Sequence, residues 1–337
     1  MNVAKEAIGT VPVIEVRNVR HWFALRGAHR LHRMHEVLRD VSFEIYRGEI
    51  LALIGESGSG KTTLARVLFQ NPRPATGSIC FQGNELTRLH RTDLHAKRRG
   101  MQLIFQDSFG SLDPRWTVEK VVGEPLIPEQ GRRAARREKV AAALDLVGLD
   151  PATYGRRLRA DLSGGQCQRV AIARALVVKP TLLVCDEAVS ALDVLIQSSL
   201  LDLFLRLRRE LALSYLFIAH DLALVRNFSD RVAVLYLGRL CEIGPTEAIY
   251  ADSRHPYTVM LLAATSWTDR QFPDNDAVLH SLAPEELPVM TAGCRFSQRC
   301  PRVHARCRLE EPELRRLDGD HWVACHAPDA PSGNLPP

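Results

Sequence analysis

Apolar and polar positions alternate over residues 13–19 and again over 40–45, and a period of two predicts a pair of half-buried strands there. Gly48 turns the chain into an unbroken apolar run, Ile50-Leu51-Ala52-Leu53-Ile54, the pattern of a strand covered on both faces. A helix is predicted to open at Thr62 and run to Leu68. From about 106 to 159 the reading is helical, with segments at 118–124 and 136–147 set off by Pro and Gly. Apolar strands return at 181–185 and 215–219, and 231–237, a Gly238-Arg239 turn and 240–243 read as a closing hairpin. A boundary follows near Tyr250, then a helix from His255 through Ala263 and a polar linker at about 268–276. The tail over 281–326 is Pro-rich and carries cysteines, and residues 327–337 read as disordered.

The run 50–54 feeds Gly55-Glu56-Ser57-Gly58-Ser59-Gly60-Lys61-Thr62, which fits G-x-x-x-x-G-K-[ST] in the strand–loop–helix context that motif requires. Glycines there let successive backbone N–H groups curl around phosphate oxygens, and the helix N-terminus adds partial positive charge. The side chain of Lys61 would reach the β- and γ-phosphates, and the Thr62 hydroxyl would ligate Mg²⁺. Gly55, Ser57, Gly58, Ser59, Gly60, Lys61, Thr62 and Thr63 form the candidate phosphate-binding set.

A second glycine turn, Leu162-Ser163-Gly164-Gly165-Gln166, precedes Arg169 and an Ala-rich helix. Asp186-Glu187 ends one apolar strand, Ser190-Ala191-Leu192-Asp193 follows it, and His220-Asp221 ends another. Gln106 closes Met101-Gln102-Leu103-Ile104-Phe105. In this order, over roughly residues 14 to 250, these elements make the chain resemble an ABC-type ATPase. The resemblance implies an α/β P-loop fold with an antiparallel β-subdomain and an α-helical subdomain at about 106–165, all within an ATPase domain over 1–250. It implies ATP and Mg²⁺ as ligands. Asp186 would hold Mg²⁺ through its water shell, and Glu187 would act as general base on the attacking water. His220 would contact the γ-phosphate and orient that water, and Gln106 would touch Mg²⁺ and the water. Phe23 would stack on adenine; Trp22 is the neighbouring alternative, and either ring would equally serve to pack the β-region. Ser163, Gly164, Gly165, Gln166 and Asp193 would face nucleotide bound by an opposite subunit, so a dimeric arrangement is required. Two positions depart from the family pattern, Cys167 and Ala188, and neither touches phosphate.

The resemblance narrows to the ATPases of dipeptide/oligopeptide importers, closest to the second of their paired ATPases. Ser111-Leu112-Asp113-Pro114-Arg115-Trp116-Thr117-Val118, Gly123-Glu124-Pro125-Leu126, Tyr236-Leu237-Gly238-Arg239 and His255-Pro256-Tyr257-Thr258 carry it. Such importers imply a paired homologous ATPase, two transmembrane permease subunits and an extracytoplasmic substrate-binding protein. Cargo is read by those other chains, so nickel chelates, glutathione or another small solute stay open beside peptides. A soluble ABC ATPase acting on DNA or ribosomes is the rival; those usually carry two cassettes or long coiled-coil insertions, and neither is present.

Composition adds the compartment. Of 337 residues, 46% are hydrophobic, yet no run reaches the length of about eighteen that spans a bilayer. No charged-then-apolar leader opens the chain, so the expected location is the cytoplasmic face of a membrane, peripherally attached. A net charge of +5 is too modest to argue for nucleic acid. The basic run at 132–137 reads as a solvated helix face, and His29, His32 and His35 as a surface insertion rather than a metal site. Cys294, Cys300, Cys307 and Cys325 form a constellation of their own in the extension over 251–326. Clustered thiols in a cytosolic chain point to metal rather than disulfides. A [4Fe–4S] cluster is the reading, with zinc or free thiols as alternatives, although the C-x-x-C spacing usual for zinc is absent. Cys80, Cys167, Cys185 and Cys241 read as small residues of the ATPase body.

Overall fold

The computed structural model describes residues 11–25, 33–107, 109–127, 133–189, 192–265 and 292–328. His29, His32, Arg132, Ser190, Ala191, the linker at 268–276 and the terminal residues from 329 lie outside the described residues.

The alternating segments extend further than their apolar pattern suggests. Strand β1 spans Ile14–Leu25 and β2 spans Arg33–Ile45, paired antiparallel from Ile14↔Ile45 onward with irregular register around Val16, Val19 and His21. β4 (Thr76–Phe81) pairs with the other edge of β1, and β5 (Asn84–Glu85) completes a four-stranded sheet in the order β2-β1-β4-β5.

The second sheet has eight strands. Its parallel centre consists of β3 (Ile50–Ile54), β6 (Met101–Ile104), β7 (Leu182–Asp186), β8 (Ser214–Ile218) and β9 (Arg231–Tyr236) in the order β9-β3-β8-β7-β6. β10 (Arg239–Pro245) returns antiparallel along β9, and two short tail strands, β11 (Arg315–Arg316) and β12 (Trp322–Val323), continue the sheet beyond it. Every residue of β3 is buried, because alternate side chains enter two different cores. Leu51 and Leu53 join Val16, Ile79, Phe81 and Leu64 between the sheets. Ile50, Ala52 and Ile54 join Tyr215, Phe217, Phe204 and Ile172 on the other face. This is why the sequence reads there as a continuous apolar run.

Helix α1 (Lys61–Leu68) follows β3 directly, and α2 (Arg91–Arg98) precedes β6. The helical subdomain comprises α3 (Val118–Val122), α4 (Arg133–Leu146), α5 (Pro151–Tyr154) and the start of α6 (Gly164–Leu176). On α4 only Val140, Ala143 and Leu144 are buried, a stripe at helical spacing that packs with Val121, Val122 and Val170. Its basic face is not simply solvated: Arg136 donates to the Gly123 carbonyl at 2.6 Å and Arg137 pairs with Glu119. α7 (Val194–Leu211), α8 (Leu222–Phe228), α9 (Thr246–Ala251) and α10 (Pro256–Thr265) cover the main sheet, and α11 (Ala305–Leu309) lies in the tail. Among the described residues, no helix is long and apolar enough to cross a membrane.

Candidate functional site

Parallel strands all end on one edge of a sheet, and in open α/β sheets that edge gathers ligand-binding groups. Here β3 runs into the phosphate loop, β6 into Gln106, β7 into Asp186 and Glu187, and β8 into His220.

The loop's shape is set by close backbone approach. Gly55 has φ +151, and a Cβ there would strike the Leu235 carbonyl. Gly60, the N-cap of α1, has φ +106 and faces Val37 and Leu38 of β2. Both positions admit only glycine without strain. Lys61 is buried and folds back, its ammonium donating to the carbonyls of Gly55 at 2.7 Å and Glu56 at 2.9 Å. Burial lowers its pKa, partly opposed by Glu187 and Asp186. Ser59 is buried, Ser57 and Gly58 are exposed at the loop's tip, and Thr63 is half-buried on α1.

Thr62 Oγ1 donates to Asp186 Oδ1 at 3.3 Å. Asp186 is buried, and desolvation raises its pKa while the Thr62 bond works the other way. Glu187 adopts the left-handed conformation, φ +51, with its N–H on the Ile218 carbonyl. Its carboxylate accepts from Gln106 Nε2 at 2.7 Å and pairs with His220 Nε2. Gln106, Glu187 and His220 therefore meet in one cluster beside Lys61, Thr62 and Asp186.

Phe23 stands on β1 opposite His35, 43% exposed and edge-on to His21 at 4.7 Å. The neighbouring stretch of β2 is the one that contacts Gly60, so the ring lies on the strand pair bordering the loop. Trp22 is half-buried beside it.

The glycine turn before α6 is built separately. Ser163 caps α6 through Gln166 N–H at 3.3 Å, and Gln166 Oε1 accepts the Ser163 N–H at 2.9 Å, a reciprocal capping box. Gly165 is buried against Ile196, while Ser163 and Gly164 are exposed. Asp193 caps α7 by accepting the Ile196 N–H at 3.0 Å. Among the described residues no hydrogen bond or ion pair joins this turn to the phosphate loop of the same chain. A groove of about 810 Å³ runs from Thr62 and Asp186 past Phe105, Gln106 and Asp107 to Glu124 and Arg174 of the helical subdomain.

The four tail cysteines line one small cavity together with His255, His304 and His326. Burial pushes the Cys294 thiol up to about 11 and the Cys300 thiol to about 12, with the other thiols adding to the rise. Cys241, read from sequence as a body residue, is buried and interacts with Cys294 and Cys325. Among the described residues no group of three or more His, Cys, Asp or Glu is disposed to hold a metal ion.

Sequence motifs do not reveal the contacts made by Glu56. Its N–H donates to the Tyr257 hydroxyl at 2.8 Å, and its carboxylate receives both Arg299 Nη1 and Nη2 at 2.9 and 2.8 Å. The sole hint in the chain is a charged residue at a free position of the loop motif.

Residues 38–190 match the family described as ABC transporter, and residues 241–307 match the oligopeptide/dipeptide transporter C-terminal region. The chain is 42% identical to the di/tripeptide transport ATP-binding protein DppF of Pseudomonas aeruginosa, over 91% of this chain and 94% of that one. It is 40% identical to the oligopeptide transport ATP-binding protein OppF of Haemophilus influenzae, over 86% and 88%. Among solved structures, cbiO1 from Clostridium perfringens, part of the ABC transporter complex cbiONQ, matches with TM-score 0.63 and 25% identity, over 72% of this chain and 91% of that one. The dimeric ABC transporter cassette MJ0796 matches with TM-score 0.61 and 27% identity, over 69% and 98%.

Proposed function

The chain belongs to the ATP-binding subunits of ABC transporters of the oligopeptide/dipeptide type, and we propose that it hydrolyses ATP to energise peptide import through partner permeases. The observation that carries this is the cluster at the strand ends: Glu187, held between Gln106 and His220, beside a buried Lys61 and the Thr62–Asp186 pair. Lys61 exchanges its loop carbonyls for phosphate oxygens when nucleotide enters. Asp186 and Thr62 suit Mg²⁺, because a buried carboxylate and a hydroxyl brought together at the phosphate loop are the hard oxygen donors that cation takes. Held by Thr62 and Asp186, the cation would supply charge neutralisation at the transferred phosphate. Glu187 accepts the proton of the attacking water, and Gln106 and His220 keep that water and the carboxylate oriented. Phe23 supplies the adenine platform.

The exposed Ser163–Gly164 turn and the neighbouring Asp193 have no phosphate to face within their own chain. That supports a site completed by a second cassette, read here as a paired homologous ATPase, as the dimeric cassette MJ0796 illustrates for its own chain. Two permeases and an extracytoplasmic substrate-binding protein complete the importer. The chain attaches peripherally at the cytoplasmic face, and the groove around Phe105, Gln106 and Glu124 receives the permease. The ATPase domain extends over 1–250, and the region over 251–326 is an extension carrying Cys294, Cys300, Cys307 and Cys325. Four thiols line one cavity, and we read them as the ligands of a [4Fe–4S] cluster, with zinc the alternative. Iron and zinc analysis of anaerobically purified protein decides between them.

Affinity purification from the native membrane tests the transporter reading, with ATPase activity compared between wild type and Glu187→Gln. Two permease chains, a related ATPase and a loss of turnover of about 100-fold or more with ATP binding retained are the expected results. Recovery with ribosomes or DNA and no membrane partner would overturn the import role.

A further inference from the structure

We propose that Arg299, assisted by Tyr257, is a positioning residue for the phosphate loop: a turn of the C-terminal region neutralises Glu56 and so sets how tightly the loop takes nucleotide. The inference rests on the reading of the loop as the ATP site.

A carboxylate inside a loop whose task is to bind a polyphosphate works against that task unless its charge is cancelled. Glu56 is such a carboxylate, and Arg299 cancels it with two parallel charge-assisted hydrogen bonds. The pair bridges 243 positions of sequence. Glu56 has its other groups occupied too: the N–H is held by Tyr257, and the carbonyl by Lys61 and by Ser59 N–H at 3.2 Å. The pairing therefore fixes both charge and backbone at the loop's entry.

Arg299 is itself immobilised. Its guanidinium lies 5.7 Å from the Tyr236 ring centroid and 5.8 Å from that of Phe296. Tyr236, Tyr257 and Phe296 pack together with centroids 4.5 to 5.5 Å apart, and Tyr257 and Phe296 are buried. Backbone bonds from Ser297 N–H to Cys294 and from Arg299 N–H to Phe296 stiffen the turn. A second arginine of the same turn reaches the other flank: Arg295 donates to the Leu237 carbonyl and pairs with Glu36. The adjoining Gly238 N–H donates to Ser59 of the loop at 2.7 Å. The segment 294–300 thus holds the phosphate loop directly at Glu56 and, through Leu237 and Gly238, indirectly at Ser59.

The test measures the dissociation constants of ADP and a non-hydrolysable ATP analogue for the full chain by calorimetry, with thermal melts alongside. Arg299→Ala is expected to weaken nucleotide about tenfold, since it leaves the Glu56 charge facing the phosphates. Arg299→Lys keeps the charge but loses the two-pronged pairing, so its affinity is expected to fall between those of wild type and Arg299→Ala. The decisive variant is Arg299→Ala combined with Glu56→Gln, which removes the charge that Arg299 cancelled. Recovery to within about threefold of wild type is expected, and a merely structural arginine would not be rescued in this way. If Arg299→Ala unfolds the protein, Tyr257→Phe removes only the hydroxyl on the Glu56 N–H, and a weakening of about threefold with an unchanged melt is expected. Wild-type affinity in a folded Arg299→Ala or Tyr257→Phe protein would overturn the proposal, as would failure of the double variant to recover. A wild-type chain that binds neither nucleotide would instead refute the ATP-site reading beneath it.

Discussion

His255 is sealed from water between the main sheet and the tail, with Nδ1 accepting the Tyr257 N–H and the ring against Phe296. Burial pulls its pKa down to about 4, although Glu242 pulls the other way. The unfolded chain therefore takes up a proton on this histidine before the folded one does. Its contribution to stability is complete above about pH 6.5 and drains away as pH falls toward 4, by roughly 3 kcal/mol. Denaturant unfolding from pH 7.5 to 4.5 should show that decline, and His255→Gln should show a shallower one. Gly238 makes a second single-residue prediction. Its φ is +81, and a Cβ there would run into the Val37 carbonyl. Gly238→Ala should cost about 2–4 kcal/mol in a denaturant melt and weaken nucleotide through the Ser59 contact. At this scale the residues meeting at the strand ends were legible, because Gln106, Asp186, Glu187 and His220 each follow an apolar strand. Arg299 was not: nothing local to residue 299 indicates a partner at residue 56.

Glu242 shows how an element can depend on one side chain. It sits on β10 fully buried, and its carboxylate accepts the backbone N–H groups of Arg254 at 2.7 Å and His255 at 3.0 Å, plus His321 Nε2 at 2.7 Å. One residue thereby fastens the start of α10 and the β12 region to the sheet. Glu242→Ala should cost about 3–5 kcal/mol, because three donors lose their partner in a dry site. His321→Ala should cost less, and urea titration of both separates them. α7 escaped the sequence reading despite a helical stripe at Leu200, Leu203, Phe204 and Leu207, whereas β4, α2, β11 and β12 escaped it for want of a local signal. β4 begins Thr76-Gly77-Ser78, with burial confined to its end, and α2 buries only Leu94 among eight residues. Neither offers a periodic apolar signal, so tertiary contact decides their conformation. β11 and β12 are two residues each and exist only by pairing with strands already in place.

Across the whole molecule two cores share the central strands, and the C-terminal region closes the sheet whose strand ends bring together Gln106, Asp186, Glu187 and His220. The family match to that region begins at residue 241, within β10 itself. A chain ending at residue 251 should lose this closure along with Tyr257 and Arg299. We expect it to melt well below the full chain and to aggregate, as measured by light scattering, because the edge of β10 is left open.

The pairing of β10 with β12 also has a consequence in time. Glu242 and His321 are 79 residues apart. At roughly 5–20 residues per second of synthesis, the second partner leaves the ribosome about 4–16 s after the first. For that interval the nascent ATPase presents a bare strand edge and a buried-type carboxylate that still faces water. The vulnerable stage in producing this protein is thus a pause between two parts of one sheet, and slowing translation downstream of β10 lengthens the exposure.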